Sequence, residues 1–562
     1  MKRYLSFLLV AFVIRLACPK AADAATATPH LDAQHPNVLI IMTDDQDTDN
    51  LGCYGGEAYT PNIDRLAANG VRFANANVTA SVCTPSRYGT ITGRNANRCT
   101  ERTYLAQFPA DQPAHPSFWS LLERTRSNIG KSLTEAGYST GFVGKFHLTR
   151  KPLLNGNKGW EKAGLEMYPK DADMRKQAIS EALKHNQDFW CNEIRGFGYE
   201  QAFSIYSANT RELFLEQLNV HNIEWTLDGA MKFLNMQTAD KPFFLHFNVT
   251  VPHGPHPAIK KDGKYPYSID ADMRMTGEGY KPEGFDVMPS RDTLIPRTLA
   301  AGKPESIFHA LWMDDAVGAL MNKLKAMGVA DNTLIIYSSD HGLHRERTHS
   351  MGKATLYEPG LRVPLIMHWP AGINKPGRVH EGLVANIDIA PTIHDVTHTP
   401  LPAKDPMDGI SLGPVLRGDD KPVRTALMCE LGYAKCVKTA DWKYLAIRYP
   451  QEIQDKIDKG EKFPGWDFSV NKPVGRMSQK PVMDRPFFFD HTQLSARAMQ
   501  SWPEYLTADQ LYDLKNDPGE TTNIFQSNPR QAQAMKVLMG QQILQHSDRA
   551  FGEFSASHTM KN

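Results

Sequence analysis

Cys83 is followed four residues later by Arg87, and the tripeptide between them, Thr84-Pro85-Ser86, starts helices well. Proline is preorganised for a first helical turn, and residues four apart share a helix face, so Arg87 lies one turn below Cys83. The dipole and unpaired N–H groups of such a helix start favour an anion. The spacing therefore allows a reactive side chain facing an anionic group, against the plainer reading of a small packed cysteine.

The remaining residues of chemical interest fall at the ends of apolar runs. Asn37 to Thr43 reads as a strand buried on both faces of a parallel sheet, and it ends in Asp44-Asp45. Functional crevices of open α/β sheets lie beyond the carboxyl ends of strands, so two acids there suggest a hard-cation site rather than a turn or cap. Tyr138 to Leu148 is a second run, with Lys145 and His147 on one side of an extended backbone. A third, Pro242 to Thr250, leads into Pro252-His253-Gly254-Pro255-His256, where the prolines hold the histidines at low entropic cost. A fourth, Asn332 to Ser339, ends in Asp340-His341. The charge-dense stretch His344 to Lys353 comes next, a pattern that ordinarily marks a solvated face.

The string Ser81-x-Cys83-Thr84-Pro85-Ser86-Arg87, closed by Thr92-Gly93-Arg94, resembles the maturation signature of the type I, formylglycine-dependent sulfatases. These are arylsulfatase-like members of the alkaline-phosphatase superfamily, and the motifs over 37–525 stand in that family's order. The resemblance implies an α/β fold, an alkaline-phosphatase-like sandwich. It would have a large, mainly parallel sheet flanked by helices and a smaller C-terminal α+β subdomain with an antiparallel sheet. It implies that a formylglycine-generating maturation enzyme oxidises Cys83 to formylglycine (3-oxoalanine), whose hydrate attacks sulfur. It also implies a calcium ion (Ca2+) held by Asp44, Asp45, modified Cys83, Asp340 and His341. Many members carry asparagine at the last position, and a nitrogen ligand suits calcium less well than oxygen. Arg87, Lys145 and Lys353 would neutralise the sulfate, His253 would protonate the leaving alcohol, and His147 would help release the product. His256, His344, Arg345 and His349 are candidate contacts to the group bearing the sulfate; for His256 a structural role stands level with contact. The expected activity is hydrolysis of a sulfate ester on a carbohydrate. The alternatives are a phosphomonoester or phosphonate hydrolase of the same superfamily and a non-catalytic sulfated-glycan binder with Cys83 unmodified.

Positioning these residues requires a large framework, and 562 residues suffice for one large α/β domain plus a smaller one. We expect a signal peptide over 1–24, a main domain over 25–418 with a cleft-wall insertion at 150–235, and a C-terminal subdomain over 419–562. Lys2 and Arg3, the apolar run from Tyr4 and Ala22-Asp23-Ala24 make the export signal, so the protein is expected to be periplasmic or secreted. The apolar run is too short to span a membrane, and no later stretch is an integral membrane segment. With 63 basic and 62 acidic residues, nothing points to nucleic acid. Six of the seven cysteines would remain after cleavage; Cys429 and Cys436 are close enough for a local disulfide, with a buried reduced pair as the alternative. Helices are predicted from Thr60, over His221 to Leu234, as an amphipathic element over Ser306 to Met327, and from Asp388.

Overall fold

Apolar runs with acids or bases at their carboxyl ends become neighbouring strands in the computed structural model. It describes residues 35–149, 157–345, 350–459, 466–467, 472–473, 501–545 and 549–554. One sheet contains β1 (Asn37–Asp44), β2 (Val71–Asn77), β3 (Ser139–Lys145), β4 (Gln201–Tyr206), β5 (Phe243–Pro252), β6 (Thr333–Ser339), β7 (Leu365–His368) and β8 (Arg378–Ala385). The spatial order is β8-β2-β7-β6-β1-β5-β3-β4, with every pairing parallel except the two made by β7. Strands β6, β1, β5 and β3 are therefore adjacent, and motifs up to about three hundred residues apart end side by side.

Period-two alternation along β1 explains the layers. Val38, Ile40 and Met42 join a core that includes residues of α2 (Cys83–Thr92), α3 (Ile129–Glu135) and α7 (Ile389–Val396). Leu39 and Ile41 face the opposite way, into a core with α1 (Pro61–Ala68), α5 (Ile223–Asn235) and α6 (Phe308–Ala326). The described residues all belong to one compact unit, 32–562. A second, antiparallel sheet runs β9 (Leu427–Leu431), β10 (Ala434–Lys438), β11 (Trp442–Ile447), β12 (Asp509–Asp513). Its Leu427, Cys429, Leu431, Leu445 and Ile447 join the first core, while Met428, Tyr444 and Leu511 pack on α8 (Pro529–Leu544).

Some elements differ from the expectation. Helix α6 is buried on all sides from Phe308 to Gly318 rather than amphipathic, because it lies against α1, α5 and β5. Thr60 sits at the N-cap of α1, but its hydroxyl donates to Asp64, and the first helical amides go to Asp314 of α6 instead. The described residues between 157 and 235 include α4 (Gln177–Arg195) and the sheet-edge strand β4. Cys429 and Cys436 oppose each other across β9 and β10 as buried thiols. Among the described residues no helix is long and apolar enough to cross a membrane. The expected signal segment lies outside the described residues.

Candidate active site

Strand β1 delivers Asp44 at its carboxyl end, and the next residue turns the chain with a left-handed backbone, Asp45 at φ 68°. Aspartate tolerates that region better than most residues do. The Asp45 amide donates to Asp340 Oδ1 (3.2 Å) at the end of β6, stitching the two strand ends together. Both carboxylates are buried, which works against their charge. Lys145 more than offsets this for Asp44, and Lys353, with His253 and His341, does so for Asp45. Both carboxyls are thereby held well below the usual carboxylate range. Lys145 Nζ donates to Asp44 Oδ2, and Lys353 Nζ lies 2.7 and 2.9 Å from the two oxygens of Asp45.

Cys83 is the first residue of α2 and is 1% exposed. Its Sγ stands 3.3 Å from His341 Nε2, 3.6 Å from Lys145 Nζ and 3.7 Å from Asp44 Oδ1. His341 Nδ1 bonds the Gly342 carbonyl (2.9 Å), so Nδ1 carries a hydrogen and Nε2 is the nitrogen turned toward Cys83 and Asp45. Burial lowers the His341 pKa, but the Asp340, Cys83 and Asp45 charges outweigh it and push it up to about 9. One ligand atom from each of Asp44, Asp45, Cys83 and His341 lies within 4.8 Å of the others. Two ionised, buried carboxylates with an imidazole and an oxidisable side chain fit a divalent cation. Asp340 borders the group, its Oδ1 accepting from the Asp45 and His341 amides and its Oδ2 from Arg87 Nε at 3.0 Å.

Arg87 is more committed than its place below Cys83 suggests. Besides Asp340 it donates to the Lys145 carbonyl (3.1 Å) and to Asn248 Oδ1 (3.0 Å) on β5. The Lys145–His147 segment departs from an extended strand, with Gly144 at φ 89° and His147 at φ 56°. Lys145 reaches Asp44, while the His147 ring stacks on Phe118, 5.6 Å between centroids. His253 is partly exposed; its Nδ1 donates to the Gly254 carbonyl (2.7 Å), and burial together with Lys353 lowers its pKa. His256 accepts from the Ala258 amide and meets His309 of α6 edge-on. His344 and Arg345 stand on a short strand antiparallel to Ser350–Met351, and His349 lies outside the described residues. Lys353 is carried by a turn whose backbone passes so close to Gly360 that a Cβ on Gly352 would sit 2.3 Å from the Gly360 nitrogen.

Sequence reasoning missed Asn209, whose Oδ1 accepts from Lys145 Nζ at 2.7 Å, and Asn248, which braces Arg87. Asn209 follows β4, and only the β3–β4 pairing brings it to Lys145. Neither residue lies in a motif.

A sulfatase family model matches residues 36–399, which span β1 to the helix after β8 and include Cys83 and the acids around it. The chain belongs to the sulfatase family. That family lies in the alkaline-phosphatase superfamily and hydrolyses sulfuric esters, and this sulfatase is an enzyme of that type. It is 26% identical over 540 residues to human arylsulfatase A, covering 93% of this chain and 90% of that protein. It is 25% identical over 593 residues to an N-acetylglucosamine-6-O-sulfatase of Bacteroides thetaiotaomicron, covering 94% and 89%. A solved protein in complex with its substrate D-glucosamine-2-N,6-O-disulfate shares the fold at a TM-score of 0.56 and 19% identity, covering 92% of this chain and 98% of that one. The expected sheet architecture and its C-terminal antiparallel sheet are thus those of this sulfatase.

Proposed function

We propose that this sulfatase removes sulfate from a sulfated carbohydrate, with formylglycine made from Cys83 as nucleophile and calcium as its cation. The observation that carries the reading is the position of Cys83 Sγ, buried between Asp44, Lys145 and His341 at 3.3 to 3.7 Å. A thiol packed for structure has no use for two ionised acids and two lysines around it. The carbohydrate substrate rests on relatives named N-acetylglucosamine-6-O-sulfatase, N-acetylgalactosamine-6-O-sulfatase and ulvan-active sulfatase.

When bound, calcium at Asp44, Asp45, Asp340, His341 and position 83 would polarise a sulfate oxygen as a Lewis acid. The chain's own residues do the rest. Lys145 and Lys353, whose ammonium groups neutralise Asp44 and Asp45, supply positive charge for the sulfate oxygens. Arg87 braces Asp340 and the Lys145 backbone, keeping acid and lysine in register. His253 protonates the departing alcohol from Nε2, since Nδ1 is held by the Gly254 carbonyl. His147 takes up a proton as sulfate leaves. Residues 1–24 direct export and are removed, a formylglycine-generating enzyme matures position 83, and 419–562 form the C-terminal subdomain.

Mass spectrometry of the peptide around position 83 in active protein tests the central point: an aldehyde or its hydrate is expected, and a retained thiol in active protein rejects it. The Cys83→Ala variant should fold and lose turnover by about 10⁴-fold or more. A panel of sulfated oligosaccharides tests the substrate class, and turnover of phosphate monoesters alone would reject it.

A further inference from the structure

A second histidine grips the loop that carries His253. His221 precedes α5 and is 1% exposed. Its Nε2 lies 2.9 Å from the His253 carbonyl oxygen and 2.9 Å from that of Pro255, and its Nδ1 lies 2.8 Å from Thr250 Oγ1 on β5. Carbonyl oxygens only accept, so Nε2 carries the hydrogen and shares it between them, and Nδ1 accepts from the threonine hydroxyl. Both ring nitrogens are used, which fixes tautomer and orientation. The base of the ring is also fixed: the His221 amide donates to the Tyr267 carbonyl (2.9 Å), and the adjacent Asn222 side chain bonds the Trp225 amide and the Met273 and Met275 carbonyls.

The two carbonyls that His221 holds flank Gly254. The Gly254 carbonyl between them is the one that accepts from His253 Nδ1. Holding the peptides on either side therefore sets the plane of the middle one, and that plane aims the His253 ring. A proton donor works only within a fraction of an ångström of its target, so orientation at this point bears directly on proton transfer.

We infer that His221 is a positioning residue for the reaction, a buried clamp on the His253 and Pro255 carbonyls that aims His253 at the leaving-group oxygen. The inference rests on the reading above in which His253 protonates that oxygen.

Matured protein and three aryl sulfates of falling leaving-group acidity, para-nitrophenyl, phenyl and para-methoxyphenyl sulfate, provide the test. Good leaving groups need no proton and poor ones do. His221→Phe should lose about 10-fold or more in kcat on phenyl and para-methoxyphenyl sulfate but stay within about 3-fold on para-nitrophenyl sulfate. Thr250→Val, which removes only the bond that anchors Nδ1, should tilt the profile in the same direction by a smaller amount. The double variant His221→Phe/His253→Ala should be no slower than His253→Ala alone, because the clamp acts through His253. An equal loss on all three esters in His221→Phe at unchanged melting temperature, or additive losses in the double variant, overturns the inference. Should His221→Phe fail to fold, Thr250→Val decides: a profile parallel to wild type overturns it. A flat loss in His253→Ala is a different failure, since it removes the acid role of His253 itself and the inference with it.

Discussion

The His341 ring stands where Asp45, Asp340 and position 83 converge, and its pKa of about 9 means that it holds a proton at neutral pH. A cation using Nε2 must displace that proton, so low pH opposes binding. Titrating the protein with calcium near pH 7 should release about one proton per ion, with affinity rising about tenfold per pH unit until pH passes about 9. His341→Asn, which offers an oxygen, should bind calcium without that proton release; calorimetry in buffers of different ionisation enthalpy reads both. Steady-state kinetics should show Lys145→Ala and Lys353→Ala each down by about 10²–10³-fold in kcat/KM, the cost of one preorganised charge at the reacting group. Asp44, Asp45, His253, Asp340 and His341 could be singled out in the sequence because each follows a strongly apolar run, and Lys145 because it ends a strand-like run in the family's motif order. Asn209, Asn248 and His221 could not. Their work consists of hydrogen bonds to residues 64, 161 and 29 or more positions away, and no local pattern encodes such bonds.

At the scale of elements, the junction of α1 and α6 depends on a buried acid. Asp314 accepts from the Asn62 and Ile63 amides and the Asn62 side chain, capping α1 from a neighbouring helix. Burial raises its pKa to about 7, although these donors pull the other way. The folded state thus holds a proton between about pH 4 and about pH 7 that the unfolded chain has already released. Asp314 therefore contributes most at the acid end of that window, and its contribution falls as pH rises through about 7. Melting curves from pH 5 to pH 8 should show Asp314→Asn with a flatter pH dependence than wild type. The same residue explains why α6 reads as amphipathic. His309, Asp314 and Asp315 are polar residues that would ordinarily be solvated, yet all three are buried, with Asp314 capping α1 and Asp315 paired to Arg297. The parallel strands β1, β5 and β6 were legible because both their faces are apolar; β8, whose sequence RVHEGLVA is half polar, was not. Edge strand β4, with Gln201 and Ser204 among its six residues, carries no such signal.

At the scale of the whole molecule, the C-terminal sheet is tied to the catalytic body by charge. Glu358, five residues after Lys353, accepts from Lys438 Nζ at 2.7 Å to each oxygen and pairs with Lys443 at 2.9 Å. Glu520 pairs with Lys443 at 2.6 Å and accepts from the Glu358 amide at 2.6 Å. All four side chains are buried, two acids against two lysines. Removing one member strands an uncompensated charge, so Lys443→Met should cost about 3–5 kcal/mol in urea unfolding. Because Glu358 starts the short segment whose Pro359 and Gly360 pack against Gly352, next to Lys353, the variant should lose sulfate affinity as well as stability. The small antiparallel sheet was expected from the family resemblance, whereas nothing in the sequence pointed to the ion cluster joining it to the body: Glu358, Lys438, Lys443 and Glu520 meet only after both sheets have formed.

Every residue of α2 is buried, from Cys83 to Thr92. The maturation enzyme proposed above would have no route to the string around position 83 once the core on that face of the sheet closes over the helix. On the proposal that Cys83 is converted to formylglycine, maturation and folding compete in time, and the aldehyde-to-thiol ratio in purified protein should record which was faster rather than how tightly the maturation enzyme binds. Folded, unmodified protein exposed to that enzyme should keep its thiol indefinitely, while the same chain presented unfolded, or slowed by a weakened core, should be converted. On the same proposal, a defect in this sulfatase's activity would originate in folding too soon.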